Sequence, residues 1–186
     1  MRIISGYLKG KKINLPKDEK TRPLRDMVKE SIFNIIDHSN QINCKIDKSQ
    51  ILDLFSGSGS FGLECISRGA NKVYFNENYI EAINILKKNL YSLECENKAS
   101  IIEIDCFKIF ETLKKLNIKF DIIFLDPPFK EKKINFLIEM LLDLKILAKK
   151  GIIILHRNRK GKEEIIKKFN IIDERDYGIS KIIFGN

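Results

Sequence analysis

Ile51-Leu52-Asp53-Leu54-Phe55-Ser56-Gly57-Ser58-Gly59-Ser60-Phe61-Gly62 is the stretch whose reading decides the fold. An apolar run enters a glycine-rich turn, and the turn opens a helical pattern. Glycines 57, 59 and 62 match G-x-G-x-x-G in the strand–loop–helix context that gives this motif its meaning. Glycine lets a backbone approach a ligand where a Cβ would clash. Outward from this unit the pattern repeats. Strand-like runs at 50–55, 72–76, 100–104, 120–125 and 151–156 alternate with helical patterns at 60–68, 79–93, 106–116 and 131–147. Ile83, Leu86, Leu90 and Leu93 show the 3-4-3 spacing of a buried helix face. Strand then helix, repeated, predicts βαβ units in a doubly wound, mostly parallel α/β sheet.

The two ends differ from the body. Residues 171–177 and 180–184 join at Gly178 with no helical pattern between them, which predicts an antiparallel C-terminal strand pair at one sheet edge. Residues 2–15 hold two short β-like runs around Leu8-Lys9-Gly10, a hairpin pattern, and Met27 to Ile36 reads as a helix. Residues 37–49 read as a polar linker. The division expected is 1–40, a small N-terminal hairpin and helix extension, and 41–186, the α/β domain.

At 186 residues the chain suits one domain with a core that needs no staples. Its 44% hydrophobic and 32% charged content is that of a soluble globular protein. No run approaches a membrane span and no signal peptide is evident, so a cytoplasmic protein without a membrane partner is expected. Cys44, Cys65, Cys95 and Cys106 are far apart with no C-x-x-C pair, which argues against a zinc site or a disulfide framework. The net charge of +9 is uneven. Residues 1–30 carry 9 basic and 4 acidic side chains, and residues 145–186 carry 11 and 5, around a near-neutral middle. Two basic ends favour a polyanionic partner such as nucleic acid.

Asp126-Pro127-Pro128-Phe129 ends the apolar run Phe120 to Leu125. Proline fixes φ and lacks an N–H, and the residue before a proline is driven extended. Asp126 and Pro127 each precede a proline, so the turn is stiff. It offers a carboxylate, the Pro127 carbonyl and an aromatic face, which suit an amino-bearing planar base. Glu77 closes the strand after the glycine loop, where an acid can hold ribose hydroxyls. A G-x-G-x-x-G loop with such an acid also fits NAD. Asp53 turns the balance, because a carboxylate there would repel a pyrophosphate at a helix N-terminus. It suits a cationic ligand such as S-adenosylmethionine, or else it caps the glycine turn. Asp105 ends the third strand, where it can meet an adenine amino group, cap the following helix, or both. Cys106 adjoins it as a small thiol.

With both motifs in place, the chain resembles the class I S-adenosylmethionine-dependent methyltransferases, and more closely the RsmD family, which methylates the exocyclic N2 of a guanine in bacterial small-subunit ribosomal RNA. The resemblance covers nearly the whole chain. It runs through MRIISGYLKGKKINLP, TRPLRDMVKESIFNII, LDLFSGSGSFGLECISRGA, the acid of FNE, FLDPPF and DYGISKIIF. Two positions depart from the family pattern: Asn76 stands where an apolar residue is common, and His156 where a glutamate is frequent.

The resemblance implies a Rossmann-like fold and methyl transfer from S-adenosylmethionine, with S-adenosylhomocysteine as product. Asp126, Pro127, Pro128 and Phe129 are the expected catalytic positions. Asp53, Phe55, Ser56, Gly57, Ser58, Gly59, Glu77, Asn78, Asp105 and Cys106 are the expected cofactor contacts. Arg2, Lys9, Lys11, Arg22, Arg25 and Lys29, with Lys12 beside them, are the expected RNA contacts, through phosphates. No metal is required. The expected partner is small-subunit rRNA or the assembling 30S particle, approached by a monomer. Alternatives are an adenine-N6 or cytosine-N4 amino-methyltransferase, an NAD-linked oxidoreductase, and an inactive RNA-binding module. A DNA enzyme usually carries a recognition insertion for which this chain has no room.

Overall fold

The structure, a computed structural model, describes residues 1–17, 24–161 and 164–186. The order is α1 (Asp26–His38), β1 (Gln50–Leu54), α2 (Ser60–Ser67), β2 (Lys72–Asn76), α3 (Ile80–Ser92), β3 (Ala99–Ile102), α4 (Phe110–Leu116), β4 (Phe120–Leu125), α5 (Ile134–Asp143), β5 (Leu147–Asn158), β6 (Ile171–Tyr177) and β7 (Ser180–Gly185). The seven strands lie in the order β3-β2-β1-β4-β5-β7-β6. Strands β1 to β5 are mutually parallel, and β7 runs antiparallel to both of its neighbours. The C-terminal hairpin therefore occupies the edge as expected, with β7 inserted one place in and β6 outermost.

Successive strand residues serve opposite layers, as the strand pleat requires. Ile51, Ile122, Phe124, Ile152 and Ile154 enter the core shared with α1, α2 and α3. Leu52, Leu54, Ile123, Leu125, Ile153 and Leu155 enter the core under α4 and α5. Covering both faces explains why these strands read as continuous apolar runs.

The N-terminal hairpin is short, with one antiparallel bridge between Arg2 and Lys12. Ile3, Leu8 and Ile13 anchor it in the first core layer. Its backbone is also held from below, because the buried Glu64 accepts the N–H groups of Ile4 and Ser5 at 2.8 and 2.9 Å.

Two sequence expectations change. Residues 37–49 are not a solvated linker. Ile42, Cys44 and Ile46 are buried, and their alternation lets an irregular segment seal the bottom of the same core. Helix α5 is also shorter than 131–147. Lys145 takes a positive φ of 50°, which ends the helical path before β5 begins at Leu147. Among the described residues no helix is long and apolar enough to cross a membrane.

Candidate active site

The parallel register carries the two sequence motifs to one end of the sheet. Leu54 pairs with Leu125, and the Asp126 N–H then donates to the Leu54 carbonyl at 3.3 Å. The loop after β1 and the Asp-Pro-Pro-Phe turn after β4 are thereby neighbours. The turn is stiff in the expected way, with Pro127 buried, Pro128 exposed and Phe129 half-buried. The Pro128 carbonyl accepts from Glu131 N–H at 2.8 Å and from Arg157 at 3.3 Å. The Pro127 carbonyl has no such partner among the described residues, which leaves it available beside the Asp126 carboxylate.

The glycine loop is tightly determined. Phe55 sits at φ 60°, a conformation costly for a bulky side chain by about 1–3 kcal/mol, and such strain collects at ligand sites. Ser56 N–H donates to the Asn76 carbonyl at 3.0 Å, and Gly59 N–H returns to the Ser56 carbonyl at 2.8 Å. The buried Asn89 amide donates to the Ser58 carbonyl at 3.0 Å while also binding Asn14, so the N-terminal segment braces the loop. The three glycines divide their work. A Cβ on Gly57 (φ +55) would meet nothing within 4 Å, so this backbone faces open space. A Cβ on Gly59 would stand 2.4 Å from Leu86, and one on Gly62 would stand 2.3 Å from Phe75. Those two glycines serve close packing of the helices on the sheet, and the missing side chain at Gly59 does not open a ligand face.

Glu77 reaches the same loop. Its carboxylate accepts Gly57 N–H at 2.8 Å, Asn78 N–H at 2.9 Å and Tyr79 N–H at 3.0 Å. That fills three of about four acceptor positions and leaves capacity on the oxygen beside Gly57. Asp105 accepts Phe107 N–H at 2.7 Å, so it caps the turn after β3. Cys106 packs into the core, where burial raises its thiol to about 12 with Asp105 adding to the shift. Phe55 meets Phe107 edge to face at 6.3 Å.

Asp53 is 1% exposed, and its carboxylate accepts Gly62 N–H at 3.0 Å. Of the two roles weighed from sequence the structure shows the cap: the carboxyl closes the glycine turn and lies buried behind the loop. Burial pushes its carboxyl well above the ordinary range, the Gly62 N–H opposes that, and Asp126 and Glu77 add to it. Three carboxyl groups thus converge with no lysine or arginine paired to them among the described residues. A site with that electrostatic demand, an open glycine backbone and a spare acceptor on Glu77 fits a cationic ribose-bearing ligand such as S-adenosylmethionine. It is a poor host for a pyrophosphate. The described residues contain no cluster of side chains able to hold a metal.

Three residues at the site carried little signal in the sequence. Asn76, the departure from the family pattern, is buried and donates to the carbonyls of Ile102 and Ile104 at 2.9 and 2.8 Å. It fixes the turn that presents Asp105. His156 Nδ1 lies 2.7 Å from Asp126 Oδ1, and its Nε2 lies 2.8 Å from Ser180 Oγ. Strand-end alignment of β4 and β5 was the one clue, since Leu125 pairs with Leu155.

Both basic ends expose cations that make no ion pair with described residues, Lys145, Lys149, Lys150, Lys160 and Lys167 at the C-terminal one. Arg2, Lys9, Lys11, Lys12 and Arg25 are exposed and make no ion pair with described residues. At the other end Arg159, Lys168, Arg175 and Lys181 are paired with Asp176, Asp143, Asp173 and Glu174. Lys29 does not belong to the exposed set. It is 0% exposed, with its amine 2.9 Å from the Arg2 carbonyl and 3.6 Å from Glu64. It cannot serve as a phosphate contact, because its helical position faces the core. Arg22 lies outside the described residues.

The model of the family described as conserved hypothetical protein 95 matches residues 1–186. A Buchnera aphidicola subsp. Baizongia pistaciae protein named ribosomal RNA small subunit methyltransferase D is 34% identical over 185 residues, covering 100% of this chain and 90% of the relative. Bacillus subtilis YlbH, by name a candidate rRNA methyltransferase, is 33% identical over 183 residues, covering 98% and 96%. The solved structure of Escherichia coli YhhF, described as a candidate methyltransferase, superposes with a TM-score of 0.81 at 27% identity, covering 100% of this chain and 96% of that one.

Proposed function

The chain belongs to the conserved hypothetical protein 95 family, the RsmD methyltransferases, and from that premise we propose that it transfers a methyl group from S-adenosylmethionine to the exocyclic N2 of a guanine in small-subunit ribosomal RNA. The observation that carries the reading is the junction of β1 and β4, which sets the Asp126 turn beside the open Gly57 backbone and Glu77. The choice of guanine N2 rests on the family.

When bound, the donor supplies an electrophilic methyl on a sulfonium and leaves as the neutral thioether S-adenosylhomocysteine. The chain's residues do the rest. Glu77 and the loop from Phe55 to Gly59 hold the donor, with Asn78, Asp105 and Cys106 around it and Asp53 behind. A guanine amino group is a weak nucleophile because its lone pair is delocalised into the ring. The Asp126 carboxylate and the Pro127 carbonyl accept its two N–H bonds out of the ring plane, which aims the lone pair at the methyl. As the C–N bond forms the nitrogen becomes cationic, Asp126 stabilises that charge, and it accepts the proton released. Pro128 stiffens the turn, and Phe129 stacks on the base. Stacking is worth about 1–3 kcal/mol, enough to offset much of the few kcal/mol needed to extrude a base.

Residues 1–40 act as the RNA-contacting extension of the catalytic unit 41–186, and the two share one core layer. The exposed cations Arg2, Lys9, Lys11, Lys12 and Arg25, which make no ion pair with described residues, are the phosphate contacts. The protein works as a cytoplasmic monomer, and its substrate is small-subunit rRNA, either naked or in the assembling 30S particle. The test is transfer of labelled methyl to naked small-subunit rRNA and to partly assembled particles, with the modified nucleotide mapped by mass spectrometry. Methylation of one guanine N2 is the expected result. Calorimetric binding of NAD without binding of S-adenosylmethionine would overturn the reading.

A further inference from the structure

We infer that His156 is a positioning residue for the methyl-transfer step, one that fixes both the Asp126 carboxylate and the Phe129 ring; this rests on the function proposed above. The His156 side chain is buried between β4 and β7. Its Nδ1 is 2.7 Å from Asp126 Oδ1, and because a carboxylate accepts, Nδ1 carries the hydrogen. Its ring meets Phe129 edge to face, with centroids 5.4 Å apart and planes at 82°. One imidazole thus touches the two groups that would grip opposite parts of the target base, its amino edge and its face.

The ring itself is held from behind. Ser180 Oγ lies 2.8 Å from Nε2, and a hydroxyl serves either protonation state, donating to a bare nitrogen or accepting from a protonated one. A histidine buried only for packing would need its nitrogens satisfied, and any carbonyl would do. Here the Nδ1 partner is the carboxylate that must accept from the substrate. It occupies Oδ1 alone, so Oδ2 is left for the amine. The next residue along β5 supports the same turn, since Arg157 donates to the carbonyls of Pro128 and Glu131 at 3.3 and 2.9 Å. Consecutive residues of β5 therefore brace the turn at its carboxylate, its ring and its backbone. Without His156, Asp126 gains rotamer freedom and Phe129 loses a wall. A misplacement of about 1 Å at a reacting group can cost about 100-fold in rate.

Two near-isosteres separate the ring's two contacts. His156→Asn places an amide nitrogen where Nδ1 stands and keeps the donor to Asp126, whereas His156→Gln reaches Ser180 and loses that donor. The experiment measures kcat, KM for donor and RNA, and thermal midpoint for wild type, His156→Ala, His156→Gln and His156→Asn. The expected result is a fall in kcat of about 10- to 100-fold for Ala and Gln, with both KM values within about 2-fold of wild type, and a smaller fall for Asn, which keeps the donor to Asp126 but lacks the ring against Phe129. An active wild type with equal kcat in all four proteins, or with Asn and Gln equally impaired, overturns the inference alone. An inactive wild type overturns the proposed function, and the inference falls with it.

Discussion

Glu77 Oε2 accepts the Gly57 N–H at 2.8 Å, so the acid just after β2 grips the loop that follows β1. The same carboxylate is the proposed ribose acceptor. Replacing it removes a charge-assisted contact of about 1.5–3 kcal/mol to the donor and also loosens the loop. Titration calorimetry of Glu77→Ala with S-adenosylmethionine should show affinity lower by at least about 10-fold, with Glu77→Gln between it and wild type. Unchanged affinity in Glu77→Ala would remove Glu77 from the donor site.

Asp53 is held at an electrostatic cost, which the proposed donor site would explain. Its carboxyl is raised by burial and by Asp126 and Glu77, against the help of Gly62 N–H. A folded-state value above the unfolded one means that the folded chain binds the proton more tightly. Stability from this group is thus full at acid pH and is lost as pH rises from the ordinary carboxylate range through the raised value. Asp53→Asn keeps an acceptor for Gly62 and removes that loss. It should melt about 2–4 °C higher at neutral pH for each 1 kcal/mol recovered, with the gain shrinking toward acid pH. Its affinity for the cationic donor should fall. Lower stability at neutral pH in this variant would contradict the electrostatic account.

In the proposed mechanism Asp126 acts at the methyl acceptor and not at the donor. Asp126→Ala should reduce labelled methyl transfer to rRNA by at least about 1,000-fold, as loss of both orientation and charge stabilisation would. Calorimetric affinity for S-adenosylmethionine should stay within about 3-fold. Transfer at the wild-type rate would refute the assigned mechanism.

The basic face is tested by salt. Lys9→Ala and Lys11→Ala should each lower the slope of log affinity against log salt by about 1 for an rRNA fragment. Lys29→Ala should leave that slope unchanged and instead destabilise the fold by about 3 kcal/mol, because Glu64 would keep its buried charge with fewer partners. Filter binding and urea unfolding read the two effects separately.

Much of the fold was legible because periodicity is local. Ile83, Leu86 and Leu90 marked the inner face of α3, and all three are buried. The runs at 50–55, 72–76 and 120–125 became β1, β2 and β4 almost to the residue. Residues 37–49 misled because their apolar positions, Ile42, Cys44 and Ile46, are sparse, and only the shape of the core bottom makes them buried. Lys29 misled for a related reason. A lysine on an amphipathic helix reads as a solvated charge until the carbonyl of Arg2 and the carboxylate of Glu64 are brought to it.

The sequence by itself determined the order of strands and helices, the glycine loop, the acid at Glu77 and the stiff Asp126 turn. Each of these is written in contiguous local stretches of the chain. Tertiary structure alone decided which residues those stretches meet. The distances from Asp126 to His156 and from His156 to Ser180 span 30 and 24 positions of chain, and β4, β5 and β7 bring them into contact only by pairing in register. It also decided which cations face solvent, and that Gly57 faces open space while Gly59 and Gly62 pack against the core. Those outcomes depend on what lies across the core from each side chain, and no local pattern encodes it.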